Sequence, residues 1–182
     1  DYGVMTGAIY YNTDMWEAAG LTEEDIPKTW DEFREVAKKL TIIEDGKMIQ
    51  AGFNYNGDFQ NLLLGVPYQF GDTLFNEDGK TANLTSDGML QTAQMLVDMY
   101  DEDHVGDVNF GTDAAQSFGQ GQSAMVYKWG HQYGYMQTNY PDINYSTFEI
   151  PTTDGEPFAY DRYNGESTPG INKNATPAQL EA

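Results

Sequence analysis

The chain has 182 residues, no cysteine, and a formal net charge of -20 from nine Lys and Arg against 29 Asp and Glu. The missing thiols exclude a cysteine nucleophile, a redox disulfide and a cysteine-ligated zinc site. The acidity excludes nucleic-acid binding, which needs a basic surface. Hydrophobic residues make up 40% of the chain, so it can bury a core, and no apolar run reaches the length of a membrane span.

The first residues predict a strand and two short helices. Residues 7–11 (GAIYY) are rich in β-formers. Residues 12–14 offer N-caps for a helix that ends at Gly20, a natural residue for a helix C-terminus. A further helical turn is expected at 22–26.

The next helix has the clearest sequence signal. Thr29 and Glu32 have the T-x-x-E spacing of a capping box, in which each side chain bonds the other residue's backbone N–H. Apolar residues then recur at helical spacing: Phe33, Val36, Ala37 and Leu40. We therefore predict an amphipathic helix that begins after Thr29 and ends near Leu40.

The middle of the chain continues the alternation of strands and helices. A turn is predicted at 44–47, a strand at 50–55 and a helix at 58–64. A long helix is capped within 85–87. Its predicted inner stripe is Met89, Ala93, Leu96, Val97 and Tyr100.

The last third predicts a helix capped by Thr112 and strands at 123–127, at 145–150 and near 165–171. Helices and short strands alternate along the whole chain. The predicted class is therefore α/β or α+β.

Metal chemistry finds no support in the sequence. Residues 101–106 (DEDHVG) resemble the start of a calcium-binding loop, but Val105 and Thr112 stand where oxygen ligands are required. His104 and His131 have no metal-ligand spacing. No pair of carboxylates is singled out for glycoside hydrolysis. We expect no metal site, no cofactor and no enzymatic activity.

Three segments near the start carry a resemblance to a known family. They are IYYNTDMWEAAGL at 9–21, PKTWDEF at 27–33 and AKKL at 37–40. Together they resemble the family 1 extracellular solute-binding proteins, the maltose-binding-like capture components of ABC-type sugar importers. Less specific similarity follows at 71–80, at 118–125 (FGQGQSAM) and at 169–174 (PGINKN).

The resemblance implies a fold and a domain organisation. Such proteins are type II periplasmic binding proteins, clamshells of two α/β lobes with the ligand between them. Residues 1–182 would form a single lobe, the carboxy-terminal one, and the amino-terminal lobe and final helices would be absent from this chain.

The resemblance also implies a function. The protein would bind a carbohydrate, of the size of a small oligosaccharide, and deliver it to a membrane permease. It would lie outside the cytoplasm, either in the periplasm or as a cell-surface lipoprotein.

Two segments match the family's ligand-binding loops, 55–61 (YNGDFQN) and 129–133 (WGHQY). Both follow predicted strands, so we expect them close together on one face of the lobe, with Phe59 and either Trp129 or Tyr133 exposed. Sugar rings stack their apolar faces on aromatic rings, while a few polar groups bind the hydroxyls. The candidate ligand-binding residues are Tyr55, Asp58, Phe59, Tyr68, Trp129, His131, Tyr133 and Tyr163.

Other aromatic residues fall in core patterns, and other functions stay open. Trp16, Trp30, Tyr10 and Tyr11 are predicted to be buried.

A different solute, such as a polyamine or a peptide, could use the acidic groups and aromatic faces. A carbohydrate-active enzyme and a protein-interaction domain are the alternatives from other classes.

Overall fold

A mixed sheet is the centre of the described part of the chain. The computed structural model describes residues 4–157, 159–161, 164–165 and 170–180. Five strands are ordered β3-β4-β5-β2-β6, with β4 and β5 parallel and the other neighbours antiparallel. Short strands β1 and β7 form a separate ribbon. The strands are β1 Val4–Met5, β2 Gly7–Asn12, β3 Ile42–Glu44, β4 Lys47–Asn54, β5 Ser123–Trp129, β6 Tyr145–Phe148 and β7 Asn164–Gly165.

Helices lie between the strands along the chain and confirm the α/β class. Short 3-10 helices occur at Glu23–Asp25 and Val66–Phe70. The α-helices are α1 Thr13–Ala18, α2 Trp30–Leu40, α3 Phe59–Gly65, α4 Asp87–Asp101, α5 Ala114–Gly119, α6 His131–Asn139 and α7 Pro177–Leu180.

Both faces of the sheet are covered by helices. Because successive side chains of a strand point to opposite faces, Ile9 and Tyr11 belong to one buried cluster and Tyr10 to another. Helices α1 to α4 contribute to the first cluster, and α5 and α6 to the second. Trp16 and Trp30 are buried in the first cluster, as predicted.

The capping box predicted for α2 is present. The Thr29 hydroxyl accepts a hydrogen bond from Glu32 N at 3.2 Å, and Glu32 Oε2 accepts one from Thr29 N at 3.1 Å. Lys28 N also donates to Glu32, at 2.8 Å. These backbone N–H bonds lower the pKa of the Glu32 carboxyl. The predicted apolar stripe of α2 is buried against β4 and β5.

Three local predictions were wrong. Asp113, and not Thr112, is the N-cap of α5, since its carboxylate accepts from Gln116 N at 3.0 Å. Val97 lies on the exposed side of α4. Residues 129–133 are not a loop, because β5 continues to Trp129 and α6 begins at His131. Of the strand expected near 165–171, only Gly165 lies in a strand, β7, which starts at Asn164; residues 170 and 171 are not in a strand, and 166–169 lie outside the described residues.

The strand directions define one edge of the sheet, which we call the carboxyl edge. Strands β4 and β5 end there because they are parallel. Gly7, at the start of β2, pairs with Trp129, at the end of β5. Strand β6 also ends there, because Phe148 pairs with Ile9. The carboxyl edge therefore gathers the segments that follow β4, β5 and β6.

Candidate functional site

Exposed aromatic side chains follow two of the strands that end at the carboxyl edge. Phe59 is the first residue of α3 and is 51% exposed. Tyr133, in the first turn of α6, is 56% exposed, and its hydroxyl accepts from Gln137 Nε2 at 2.7 Å. His131, the first residue of α6, is also exposed. These three predicted residues are accessible to a ligand in solution.

Trp129 ends β5 with its ring partly buried against the first core cluster. Its indole N–H donates to the Tyr127 hydroxyl at 2.8 Å, and that hydroxyl donates to Asp161 Oδ2 at 2.7 Å. The edge of the indole is therefore held by a neighbouring side chain. An aromatic ring fixed in this way at the end of a strand is a suitable wall for an apolar ligand face.

An ion pair connects the two predicted ligand segments. Lys128 Nζ bonds Asp58 Oδ2, with both side chains largely buried. Asp58 is the N-cap residue of α3, but its side chain accepts from Asn61 Nδ2, at 3.2 Å, and makes no cap bond. The pair ties the start of α3 to the end of β5. Segments 55–61 and 129–133 therefore approach each other at the carboxyl edge.

Tyr55 makes structural contacts with helix α4. Its ring stacks on Tyr100 at a centroid distance of 3.9 Å, and its hydroxyl donates to Leu96 O at 2.6 Å. Burial, with a smaller contribution from Asp101, raises the pKa of the Tyr55 hydroxyl. One face of this ring and its hydroxyl are thus used to attach α4 to the loop after β4.

Of the two remaining candidates, only Tyr68 lies within the described residues. Tyr68 is half-buried in the 3-10 helix that follows α3. Its neighbour Gln69 is buried, accepting from Trp30 Nε1 at 3.1 Å and donating to Pro151 O at 2.9 Å. Tyr163 lies outside the described residues.

Sequence reasoning missed Lys128, Tyr127 and Asp161. A usable signal exists for Lys128, because a single cation near the end of an otherwise apolar strand (SAMVYKW) must find a buried anion. Asp161 gives no such signal, since its partner Tyr127 is 34 residues away in the sequence.

Two grooves of the described surface lie away from the candidate residues. One of about 420 Å³ is lined by residues 24–28 and by the outer side of α2, and one of about 400 Å³ lies between α2 and α4. None of the described candidate residues lines either groove. At the carboxyl edge, the rings of Phe59 and Tyr133 are open to solvent.

Two further features concern the described residues as a whole. No group of three or more His, Asp or Glu side chains there is arranged to hold a metal ion. None of the helices in the described ranges combines the length and apolar composition needed to cross a bilayer.

The sequence comparison gives the family. The sequence model for the bacterial extracellular solute-binding proteins matches residues 2–179. The chain belongs to this family of solute-binding proteins. No curated protein sequence is significantly similar to it.

Solved structures share the fold. A solute-binding protein of an ABC transporter from Thermotoga lettingae, bound to α-D-tagatose, has a TM-score of 0.70 and 23% identity over 85% of this chain and 41% of that one. The maltotriose-bound MalE domain of Bdellovibrio bacteriovorus has a TM-score of 0.69 and 22% identity, over 83% of this chain and 38% of that one. UgpB of Mycobacterium tuberculosis, in complex with glycerophosphocholine, has a TM-score of 0.67 and 20% identity, over 84% of this chain and 37% of that one.

These similarities establish the type II periplasmic-binding-protein fold. At most 41% of each of these three proteins is covered. The chain therefore spans less than half the length of the solved structures that it matches.

Proposed function

We propose that the chain is the carboxy-terminal lobe of an extracytoplasmic protein that captures a small carbohydrate and passes it to the permease of an ABC importer. The observation that carries the proposal is the carboxyl edge. There, an anchored indole at Trp129 and exposed rings at Phe59 and Tyr133 follow strands β4 and β5. Aromatic faces with a few polar groups suit the apolar faces and the hydroxyls of a sugar.

The chemistry required is binding alone. No bond of the ligand has to break, and no general acid, nucleophile or cofactor has a role in the proposed site. Phe59, Trp129 and Tyr133 supply ring faces, His131 supplies a polar group at the rim, and Asp58 holds the two segments together through Lys128. The protein would work outside the cytoplasm, as the family does, in the periplasm or as a lipoprotein.

Tagatose-, maltotriose- and mannobiose-bound relatives of the same fold support a sugar as the ligand class. A cationic solute such as a polyamine is the second candidate, favoured by the net charge of -20. Ring faces attract cations as well as sugars. Titration with maltotriose, mannobiose and spermidine in parallel distinguishes the two classes.

Calorimetric titration with these three ligands tests the proposal. We expect maltotriose or mannobiose to bind with a Kd of about 1 mM, and Trp129→Ala and Phe59→Ala to abolish measurable heat. Phe75→Ala is the matched control, because Phe75 is 53% exposed and lies in the turn before α4, outside both segments. Binding of spermidine alone, or equal loss in the Phe75 variant, contradicts the proposal.

A further inference from the structure

Trp129 is joined to Asp161 by two consecutive hydrogen bonds through Tyr127, a group that we call the Trp-Tyr-Asp chain. The distances are 2.8 Å from the indole N to the Tyr127 oxygen and 2.7 Å from that oxygen to Asp161 Oδ2. Tyr127 is only 2% exposed. The Tyr127 hydroxyl, in the middle of the Trp-Tyr-Asp chain, is therefore shielded from water, which would compete for both hydrogen bonds.

The chemistry of the three groups fixes the direction of both bonds. An indole N–H can only donate, and an ionised carboxylate can only accept. The hydroxyl of Tyr127 must therefore accept from Trp129 and donate to Asp161. A carboxylate is also a stronger acceptor than a neutral group, so Asp161 holds the hydroxyl in the orientation that the indole needs.

Two glycines leave room for the Trp-Tyr-Asp chain. A Cβ on Gly7 would lie 2.2 Å from the Tyr127 hydroxyl oxygen, and a Cβ on Gly65 would lie 2.3 Å from Asp161 Oδ1. Neither glycine has a positive φ, so backbone conformation does not require them. Close approach of the Tyr127 and Asp161 side chains does, because any other residue would displace one of them.

We propose that Asp161 is a positioning residue, which orients the ring of Trp129 through the Tyr127 hydroxyl and so prepares the aromatic wall for its ligand. This inference rests on the proposed function only in naming Trp129 as a ligand-stacking residue. A ring held in its binding orientation loses less conformational freedom on binding. Weakening the Trp-Tyr-Asp chain should therefore lower ligand affinity without removing any group that touches the ligand.

The indole N–H resonances of the 182-residue chain report on the Trp-Tyr-Asp chain directly. Each of the three tryptophans donates its indole N–H in a different hydrogen bond, to Thr22 O, Gln69 Oε1 and Tyr127 Oη. Trp129→Phe identifies the third signal. In Tyr127→Phe and Asp161→Ala we expect that signal to shift while the other two stay in place. Asp161→Asn keeps an acceptor for the hydroxyl and should return the signal close to its original position.

Affinity for maltotriose provides the second measurement. We expect Asp161→Ala to weaken binding about 3- to 10-fold, with Asp161→Asn nearer to the unmodified chain. An unmoved Trp129 signal in a folded Asp161→Ala variant overturns the inference. If that variant does not fold, hydrogen exchange of the Trp129 indole in the unmodified chain decides, because fast exchange contradicts the hydrogen bond and slow exchange supports it.

The two hypotheses fail in different ways. If the Trp129 signal shifts as expected but no sugar binds, Asp161 positions the ring and the proposed function is wrong. If maltotriose binds at Trp129 with equal strength in the Asp161→Ala variant, the proposed function stands and the positioning role is wrong.

Discussion

At the scale of single residues, Lys128 shows how a polar group is accommodated in a core strand. It lies in β5 between apolar and aromatic neighbours and is buried, and its charge is compensated by Asp58. Removing one partner of such a pair leaves the other charge buried and unpaired, which costs more than the pair itself contributes.

We predict that Lys128→Met lowers the free energy of unfolding by about 2–3 kcal/mol, somewhat below the range for fully buried pairs because both side chains keep slight solvent contact. Lys38→Met is the matched control, since Lys38 pairs with the exposed Glu35 and its second partner Asp103, at 3.8 Å, keeps Arg34 as a counter-charge. It should change stability by less than about 1 kcal/mol. Urea unfolding of both variants measures the two changes in the free energy of unfolding. Equal changes would contradict a special contribution of the buried Lys128–Asp58 pair.

The stacked tyrosines Tyr55 and Tyr100 predict sensitivity to alkali. Burial raises the pKa of both hydroxyls in the folded chain. The unfolded chain therefore loses these protons first, at about pH 10. Stability should be complete below that pH and fall as the pH rises above it. Urea unfolding at pH 9 and pH 11 measures this loss of stability. We expect a smaller loss between the two pH values in Tyr55→Phe than in the unmodified chain. An equal loss in both would contradict the prediction.

At the scale of elements, helix α2 was predictable because its signals are local. The capping box and the apolar stripe together fix its start and its buried face. Helix α4 was predictable in extent and in most of its buried face, since Met89, Leu96 and Tyr100 are buried as predicted. It buries Thr92, whose hydroxyl donates to Gly88 O at 2.7 Å, and leaves Val97 exposed. A polar residue whose side chain is hydrogen-bonded within its own helix can face the core. A sequence pattern of apolar residues does not identify such a buried polar residue.

Helix α6 could not be predicted for a different reason. It contains Gly134 and buries only Gln132 and Met136. Its apolar residues show no clear helical period, so packing on β5 determines its position. This is why segment 129–133 was predicted as a loop.

The capping box of α2 leads to a prediction at the same scale. Thr29→Ala should lower the free energy of unfolding by about 1 kcal/mol, since Glu32 N loses its acceptor. Thr22→Ala is the matched control, because Thr22 caps a three-residue 3-10 helix with no buried residue. Its effect should be smaller. A larger loss of stability in Thr22→Ala than in Thr29→Ala would show that the helix start is not important for stability.

At the scale of the whole molecule, the sequence predicted the class and the proximity of segments 55–61 and 129–133, but not the order of the strands. The sheet order and the pairing of β4 with β5 join residues about 70 positions apart, and no local pattern encodes such contacts. The Asp58–Lys128 pair and the Trp-Tyr-Asp chain depend on that arrangement. Phe59 and Trp129 are candidates that the resemblance supplied, whereas Lys128 and Asp161 required the fold.

As the single lobe that we propose, the chain offers one wall to a ligand that a clamshell would enclose. If a two-lobed protein bound its sugar at about 1 μM, half of that binding free energy would leave a Kd of about 1 mM. We therefore predict millimolar affinity for the 182-residue chain and tighter binding by a longer protein that contains both lobes. Submicromolar binding by this chain, measured by calorimetry, would mean that one lobe is sufficient.

The most direct test of the carboxyl edge as the binding wall is an NMR titration of the ¹⁵N-labelled chain with maltotriose. The account predicts the largest shift changes at the Trp129 indole and at the backbone amides of Phe59 and Tyr133. The β3–β4 hairpin at 42–49, on the outer side of the sheet, should stay unchanged. Largest changes at that hairpin, or changes that leave Trp129 unaffected, would contradict it.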